Sequence, residues 1–272
     1  MINPGEIQKI ANRLGIRDTQ IEKDYVIGWI LKGISNSEFL KNKLLFKGGT
    51  ALRKIYFSDY RLSEDLDFTF SGDGFDIAEI KKQVIGLTDW LKEESRINLI
   101  IQSDTIRQTG NYTFYTGYTG PLGGRGANKN IKVDIADDEI ICDRPEEMIV
   151  HNEYSDLQDQ FKISSYTLGE IITEKMRSLM QRTLPRDLYD LWYLFEKENK
   201  NIDDYIFNFE KKAKLKQKNP KVLVDTVLEK EDRFKAEWNN SLVNQIKDVP
   251  EFNEVWRTLR RHWKKYSEAI EA

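Results

Sequence analysis

The chain has 272 residues, 39% hydrophobic and 11% aromatic, which excludes a disordered chain and suffices for a sizeable buried core. Lys plus Arg number 42 and Asp plus Glu 45, so the net charge of −3 excludes a uniformly basic nucleic-acid coat but not a local basic patch. A single cysteine, Cys142, excludes an internal disulfide, and two histidines, His151 and His262, leave catalysis to carboxylates, Lys, Arg, hydroxyls or a bound hard metal.

The first forty residues read as helices, with Tyr25, Val26, Trp29, Ile30 and Ile34 spaced to form one apolar face. The run from Tyr25 to Leu31 spans seven residues, against about twenty for a membrane span. The first ten residues show no basic segment followed by an apolar one, so a cytoplasmic protein without a membrane partner is expected. Leu44-Leu45-Phe46 predicts a short strand, followed at once by Lys47-Gly48-Gly49-Thr50, and 51–56 favours helix. Leu66, Phe68 and Phe70 alternate with Asp65, Asp67 and Thr69, the pattern of a half-buried strand. An amphipathic helix is expected over 75–94 through Ile77, Ile80, Val84, Leu87 and Leu91. Strands are expected over 97–105, 111–119 and 130–136. The segment Gly117 to Gly126 carries five glycines and a proline and reads as a turn or mobile loop. After Asp143-Arg144-Pro145 the pattern changes. Helices are expected over 168–183 and 186–199, and the remainder is helical and charged. The fold class is mixed α/β (α+β), divided as an α/β lobe over 1–145 and a helical lobe over 146–272.

The chemistry concentrates in two segments. Successive strand side chains point to opposite faces, so Asp65 and Asp67 share one face and Leu66 and Phe68 the buried one. Two carboxylates so placed make an oxygen-rich site suited to Mg²⁺, or Mn²⁺, which completes its shell with water and substrate phosphates. In a third strand Asp134 alternates with Ile131, Val133 and Ile135, and it joins that face if the strands are adjacent. Three carboxylates can hold the two metal ions that clamp both oxygens of a phosphoryl or nucleotidyl transfer. Gly48 and Gly49 allow a sharp turn and close approach of the backbone to a ligand, and the helix start behind them faces an anion. Lys47, Gly48, Gly49 and Thr50 are therefore candidates for binding a nucleoside triphosphate. Arg53, Lys54 and Arg61 flank them as candidate triphosphate contacts. Neither GxxxxGK[ST] nor a strand-to-helix GxGxxG occurs.

The stretch Phe46-Lys47-Gly48-Gly49-Thr50-Ala51-Leu52 through Arg61-Leu62-Ser63-Glu64-Asp65-Leu66-Asp67-Phe68 resembles the first motif of the AbiEii/MenT nucleotidyltransferase toxins, members of the DNA polymerase β-like superfamily. The resemblance continues with Ile131-Lys132-Val133-Asp134, with Glu170-Ile171-Ile172-Thr173-Glu174-Lys175, and with Arg186-Asp187-Leu188-Tyr189-Asp190-Leu191-Trp192. It covers roughly residues 20 to 195, in the family's order. It implies a polymerase β-like core with a mixed sheet, a helical C-terminal lobe and an active site in the cleft. It also implies a toxin that transfers a nucleotide from an NTP to the 3′ end of tRNA and is countered by a cognate antitoxin. By motif, Gly48, Gly49, Asp65 and Asp67 would bind nucleotide and metal, Lys175 would be the essential lysine, and Asp190 or Asp187 the late essential aspartate. Ser63, two positions before Asp65, stands where some relatives carry an inactivating phosphate, which would repel a triphosphate.

On residues alone, Lys175 is equally a surface lysine, and Arg186 and Asp190 a pair within one helix. Six lysines lie between Lys211 and Lys221, with no acid until Asp225. Near the C-terminus Arg257, Arg260, Arg261, Lys264 and Lys265 alternate with Trp256, Leu259, Trp263 and Tyr266. Helical spacing separates the two sets, giving a packed helix with a solvated basic face or an RNA-backbone footprint. Two other functions use the same residues: nucleotide transfer to a protein hydroxyl, and non-catalytic nucleotide or RNA binding. Cys142 is expected to be a small buried residue.

Overall fold

The computed structural model describes residues 1–106, 110–124, 129–137 and 139–271. Two compact units form: residues 1–139 with 144–166, and residues 140–143 with 167–272.

The first unit begins with three helices, α1 (Pro4–Leu14), α2 (Asp18–Asn36) and α3 (Glu38–Lys43). Strand β1 (Leu44–Lys47) leads directly into a short helix α4 (Gly48–Ala51), which continues as a π-helical turn over Leu52–Tyr56. Then follow β2 (Leu66–Phe70), α5 (Ile77–Ser95), β3 (Asn98–Ile106), β4 (Tyr112–Thr119), β5 (Asn130–Ala136), β6 (Glu146–Ile149) and β7 (Lys162–Ser165). The seven strands form one mixed sheet in the order β3-β4-β5-β2-β1-β7-β6. β2 runs parallel to β5 and β1 to β7, and the other neighbours are antiparallel.

One sheet face is apolar. Leu44, Phe68, Leu99, Phe114, Val133 and Ile135 meet Ile30 and Ile34 of α2, Leu40 of α3, and Val84 and Leu87 of α5. The alternation in β2 therefore sends Leu66, Phe68 and Phe70 into this core and Asp67 to the opposite face.

Several expectations change. Helix α2 is not one-faced: thirteen of its nineteen residues are buried, among them Glu22, Lys23 and Asp24. Gly117 belongs to β4, so the glycine-rich loop begins at Gly120, and its residues 125–128 lie outside the described residues. Strands β6 and β7 occupy a stretch whose sequence pattern gave no strand.

The second unit is helical: α6 (Leu168–Gln181), α7 (Pro185–Trp192) with a π-helical turn over Tyr193–Lys197, α8 (Ile206–Leu215), α9 (Leu223–Leu228), α10 (Glu231–Leu242) and α11 (Phe252–Glu271). Thr167 caps α6 by accepting the Glu170 N–H. Glu170 is fully buried, pairs with Lys212 at 2.5 Å, and accepts the Cys142 and Asp143 N–H groups at 3.1 Å. Cys142 is thus half-buried and tethered through its backbone, where a fully buried side chain was expected. Along α11, Val255, Trp256, Leu259, Trp263 and Tyr266 form the buried stripe. No helix among the described residues is long and apolar enough to cross a membrane.

Candidate functional site

The polar sheet face carries a row of side chains at one register. Lys47 pairs with Asp67, Asp67 with Asp134, and Asp134 with Thr113, across β1, β2, β5 and β4. Directly paired residues point to the same face, so Asp67 and Asp134 stand side by side. Asp134 accepts a hydrogen bond from the Thr113 hydroxyl and pairs with Lys132. Lys47 is buried, lies 4.0 Å from a Glu139 carboxylate oxygen, and stands over the Tyr166 ring at 5.5 Å.

The turn from β1 into α4 closes over this row. Gly48 adopts φ +81°, and a Cβ there would stand 2.5 Å from Asp67 Oδ2. Gly49 is confined on its other side: a Cβ would meet Arg61 Nη2 at 2.8 Å and Ser63 Oγ at 3.2 Å. Arg61 donates to the Leu62 carbonyl at 3.2 Å and is buried, as is Ser63. Thr50 donates its hydroxyl to the Asp65 carbonyl, tying the helix start to the residue before β2. Asp65 itself precedes the strand and is half-buried. The glycine turn, Arg61, Ser63, Asp65 and Asp67 thus form one constellation, with Asp134 beside it.

Among the described residues no three His, Cys, Asp or Glu side chains converge into a group able to hold a metal ion. The donors present are oxygens of carboxylates next to a backbone turn that admits no side chain. That set suits a hard cation arriving with phosphates and water, rather than an all-protein cage.

Arg53 and Lys54, candidates for triphosphate contact, are engaged elsewhere. Arg53 donates to Asp24 at 3.2 Å and to the Ser58 and Tyr60 carbonyls, and Lys54 pairs with Asp24 at 2.7 Å. Burial pushes the Asp24 carboxyl up, but the Lys54 and Arg53 charges and the hydrogen bonds from Lys54 and Tyr154 outweigh it and hold its pKa at about 2. Sequence reasoning missed the charges Glu22, Lys23 and Asp24, all buried in α2. The available signal was three charged residues in a row directly before an apolar run.

In the second unit Lys175 is a buried residue, not a surface lysine. Its Nζ lies 2.7 Å from Asp187 Oδ1 and 2.8 Å from Asp190 Oδ2. Both aspartates lie on α7, three positions apart, and both are buried. Burial raises the Asp187 carboxyl, while the charges of Lys175 and Arg182 pull it lower by more and hold it below the ordinary carboxylate range. Lys212, one of the six lysines of the basic stretch, is buried in the Glu170 pair and leaves the surface set. On α11, Arg257, Arg260, Arg261, Lys264 and Lys265 are exposed, but Arg261 meets Glu196 at 3.3 Å and Lys265 meets Asp203 at 2.8 Å.

The family model of the nucleotidyl transferase AbiEii toxins of type IV toxin–antitoxin systems matches residues 29–268. The chain belongs to this family. It is accordingly a nucleotidyltransferase of the AbiEii toxin class, and the mixed sheet with its helical second unit is the architecture expected of one. Among solved structures, MenT4, a nucleotidyltransferase toxin from Mycobacterium tuberculosis, is similar with a TM-score of 0.64 at 18% identity, covering 96% of this chain and 89% of that one. JHP933 from Helicobacter pylori is similar with a TM-score of 0.55 at 16% identity, covering 94% and 95%. At such identities the likeness shows a shared fold. No curated protein matches the sequence significantly.

Proposed function

We propose that this AbiEii-family enzyme transfers a nucleoside monophosphate from an NTP to a hydroxyl of an RNA acceptor, the 3′ end of tRNA, and so arrests growth until a cognate antitoxin counters it. The observation that carries the reading is the Asp67 carboxylate seated against Gly48, in register with Asp134. Carboxylates beside a backbone turn that admits no side chain support the reading of a site for a metal-bound triphosphate.

Asp65 and Asp67 are the residues that would hold a divalent cation, Mg²⁺ or Mn²⁺, its shell completed by water and the substrate phosphates, while Asp134 stands beside Asp67 and is engaged by Thr113 and Lys132. Such an ion, when bound, neutralises charge developing on the α-phosphate and its oxygens. The chain's own part is positioning and electrostatics. The glycine turn at the start of α4, which admits no side chain, is where the β- and γ-phosphates would lie against the backbone. Arg61 and Lys47 add positive charge beside them, and Thr50 fixes the helix start on the Asp65 backbone. The acceptor oxygen bonds to the α-phosphorus, the α–β bridging P–O bond breaks, pyrophosphate leaves with that bond's electron pair, and the acceptor hydroxyl gives up its proton to solvent. Phosphorylation of Ser63, which lies against Gly49, would place negative charge where the triphosphate sits and switch the enzyme off.

The test incubates the protein with each α-labelled NTP, Mg²⁺ or Mn²⁺, total tRNA and a cell-protein extract, and resolves the products on a denaturing gel. Label in tRNA is the expected result and names the nucleotide. Label confined to protein would replace the acceptor, and no label in any arm would overturn the reading.

A further inference from the structure

Three consecutive residues of α2, Glu22, Lys23 and Asp24, are charged and buried, with relative exposures of 0%, 8% and 3%. Consecutive residues on an α-helix diverge by about 100°, so such a triplet reaches three directions. Each residue here holds a different segment. Glu22 accepts the Leu122 N–H at 2.8 Å and pairs with Lys129 at 2.8 Å, so it grips the β4–β5 connection at both ends. The fit is close: a Cβ on Gly120 would stand 2.9 Å from Glu22 Oε1. Lys23 pairs at 2.8 Å with Glu64, the residue next to Asp65. Asp24 holds Arg53 and Lys54, on the π-helical turn that extends α4.

Two of these segments carry the constellation: the glycine turn with its helix, and the carboxylate pair ahead of and within β2. An apolar triplet would fill a buried helix at lower desolvation cost, because replacing buried ion pairs by apolar residues is often neutral or stabilising. What charges add here is direction.

We propose that Lys23 and Asp24 are positioning residues for nucleotidyl transfer, with Lys23 setting Asp65 through Glu64 and Asp24 setting the phosphate-binding turn through Lys54 and Arg53. This rests on the reading of Asp65, Asp67 and the glycine turn given above. Because the arms reach different parts of the site, they have separable kinetic signatures. Lys23→Met and Glu64→Gln displace a carboxylate, lowering the rate at saturating NTP about tenfold or more and raising the half-saturating Mg²⁺, while KM for NTP stays within about threefold. Asp24→Asn loosens the phosphate-binding turn and raises KM for NTP.

The experiment measures transfer rate, KM for NTP, Mg²⁺ dependence and thermal midpoint for the full chain and for Lys23→Met, Glu64→Gln, the Lys23→Met/Glu64→Gln double variant, Lys23→Arg and Asp24→Asn. Assays run well below every midpoint. The expected result is that the double variant is no worse than either single one, that Lys23→Arg recovers to within about threefold of wild type, and that the two arms split as stated. Lys23→Met with the wild-type rate and Mg²⁺ dependence would overturn the proposal and leave the function standing. So would equal losses in every parameter in both arms, which is the behaviour of a purely structural triplet. A wild-type chain that neither transfers nor binds NTP would overturn both.

Discussion

Gly48 meets two constraints at one Cα: a φ of +81° and a carboxylate oxygen 2.5 Å from where a Cβ would stand. Gly48→Ala should cost about 1 kcal/mol or more in backbone strain and push Asp67 aside. The expected outcome is a lowered thermal midpoint together with a loss of transfer larger than the unfolded fraction explains. Lys175 leads to a different prediction. It is buried between two carboxylates, so Lys175→Glu would place three negative charges together and should destabilise the second unit by about 3–5 kcal/mol. Denaturant unfolding followed by tryptophan fluorescence checks this. A Lys175→Glu chain of wild-type stability would contradict the assigned pairing. Asp24 yields a pH dependence with a definite sign. Its folded pKa of about 2 lies below the ordinary 3.8, so its charge stabilises the fold above about pH 4, and that contribution fades as pH falls toward 2. The difference in thermal midpoint between wild type and Asp24→Asn should therefore shrink on acidification across that window. Asp67 and Asp134 were legible in the sequence because strand period two is strict, and each alternates with large apolar residues. Asp24 was not legible, because nothing local distinguishes a solvated charge from one that a distant Lys54 and Arg53 draw into the interior.

At the scale of elements, the strands richest in alternation were the easiest to read. β2, β4 and β5 fall within a residue or two of their expected bounds, since Leu66/Phe68, Tyr112/Phe114 and Ile131/Val133/Ile135 each need one buried face. β6 and β7 have four residues each, and Glu146 and Glu147 in β6 carry no apolar alternation. Their strand state follows from pairing, β7 with β1 and β6 with β7, which no local pattern encodes. The one-faced reading of α2 failed for a related reason: a central helix is enclosed on every side, and its buried charges imitate an exposed face. Helix α11 behaved as its spacing implied, with aromatic residues in and cations out. If its basic face contacts RNA phosphates, Arg257→Glu with Arg260→Glu should weaken tRNA binding and flatten its salt dependence by about two counterions, with an unchanged thermal midpoint. Filter binding across a salt series reads this directly. An unchanged slope would assign that face to solvent alone.

For the whole molecule, a net charge of −3 conceals a strong local sorting of charge. Carboxylates and buried cations gather around the glycine turn in the first unit, while a lysine–aspartate cluster and a basic helix face mark the second. The central claim is that Asp65 and Asp67 carry nucleotide transfer by this AbiEii-family chain. The most direct test compares single-turnover transfer of labelled nucleotide to tRNA by wild type and by Asp65→Asn and Asp67→Asn, isosteric changes at half-buried positions. The prediction is a loss of at least about 100-fold in each variant with thermal midpoints within a few degrees of wild type. Transfer at the wild-type rate by either variant would contradict it.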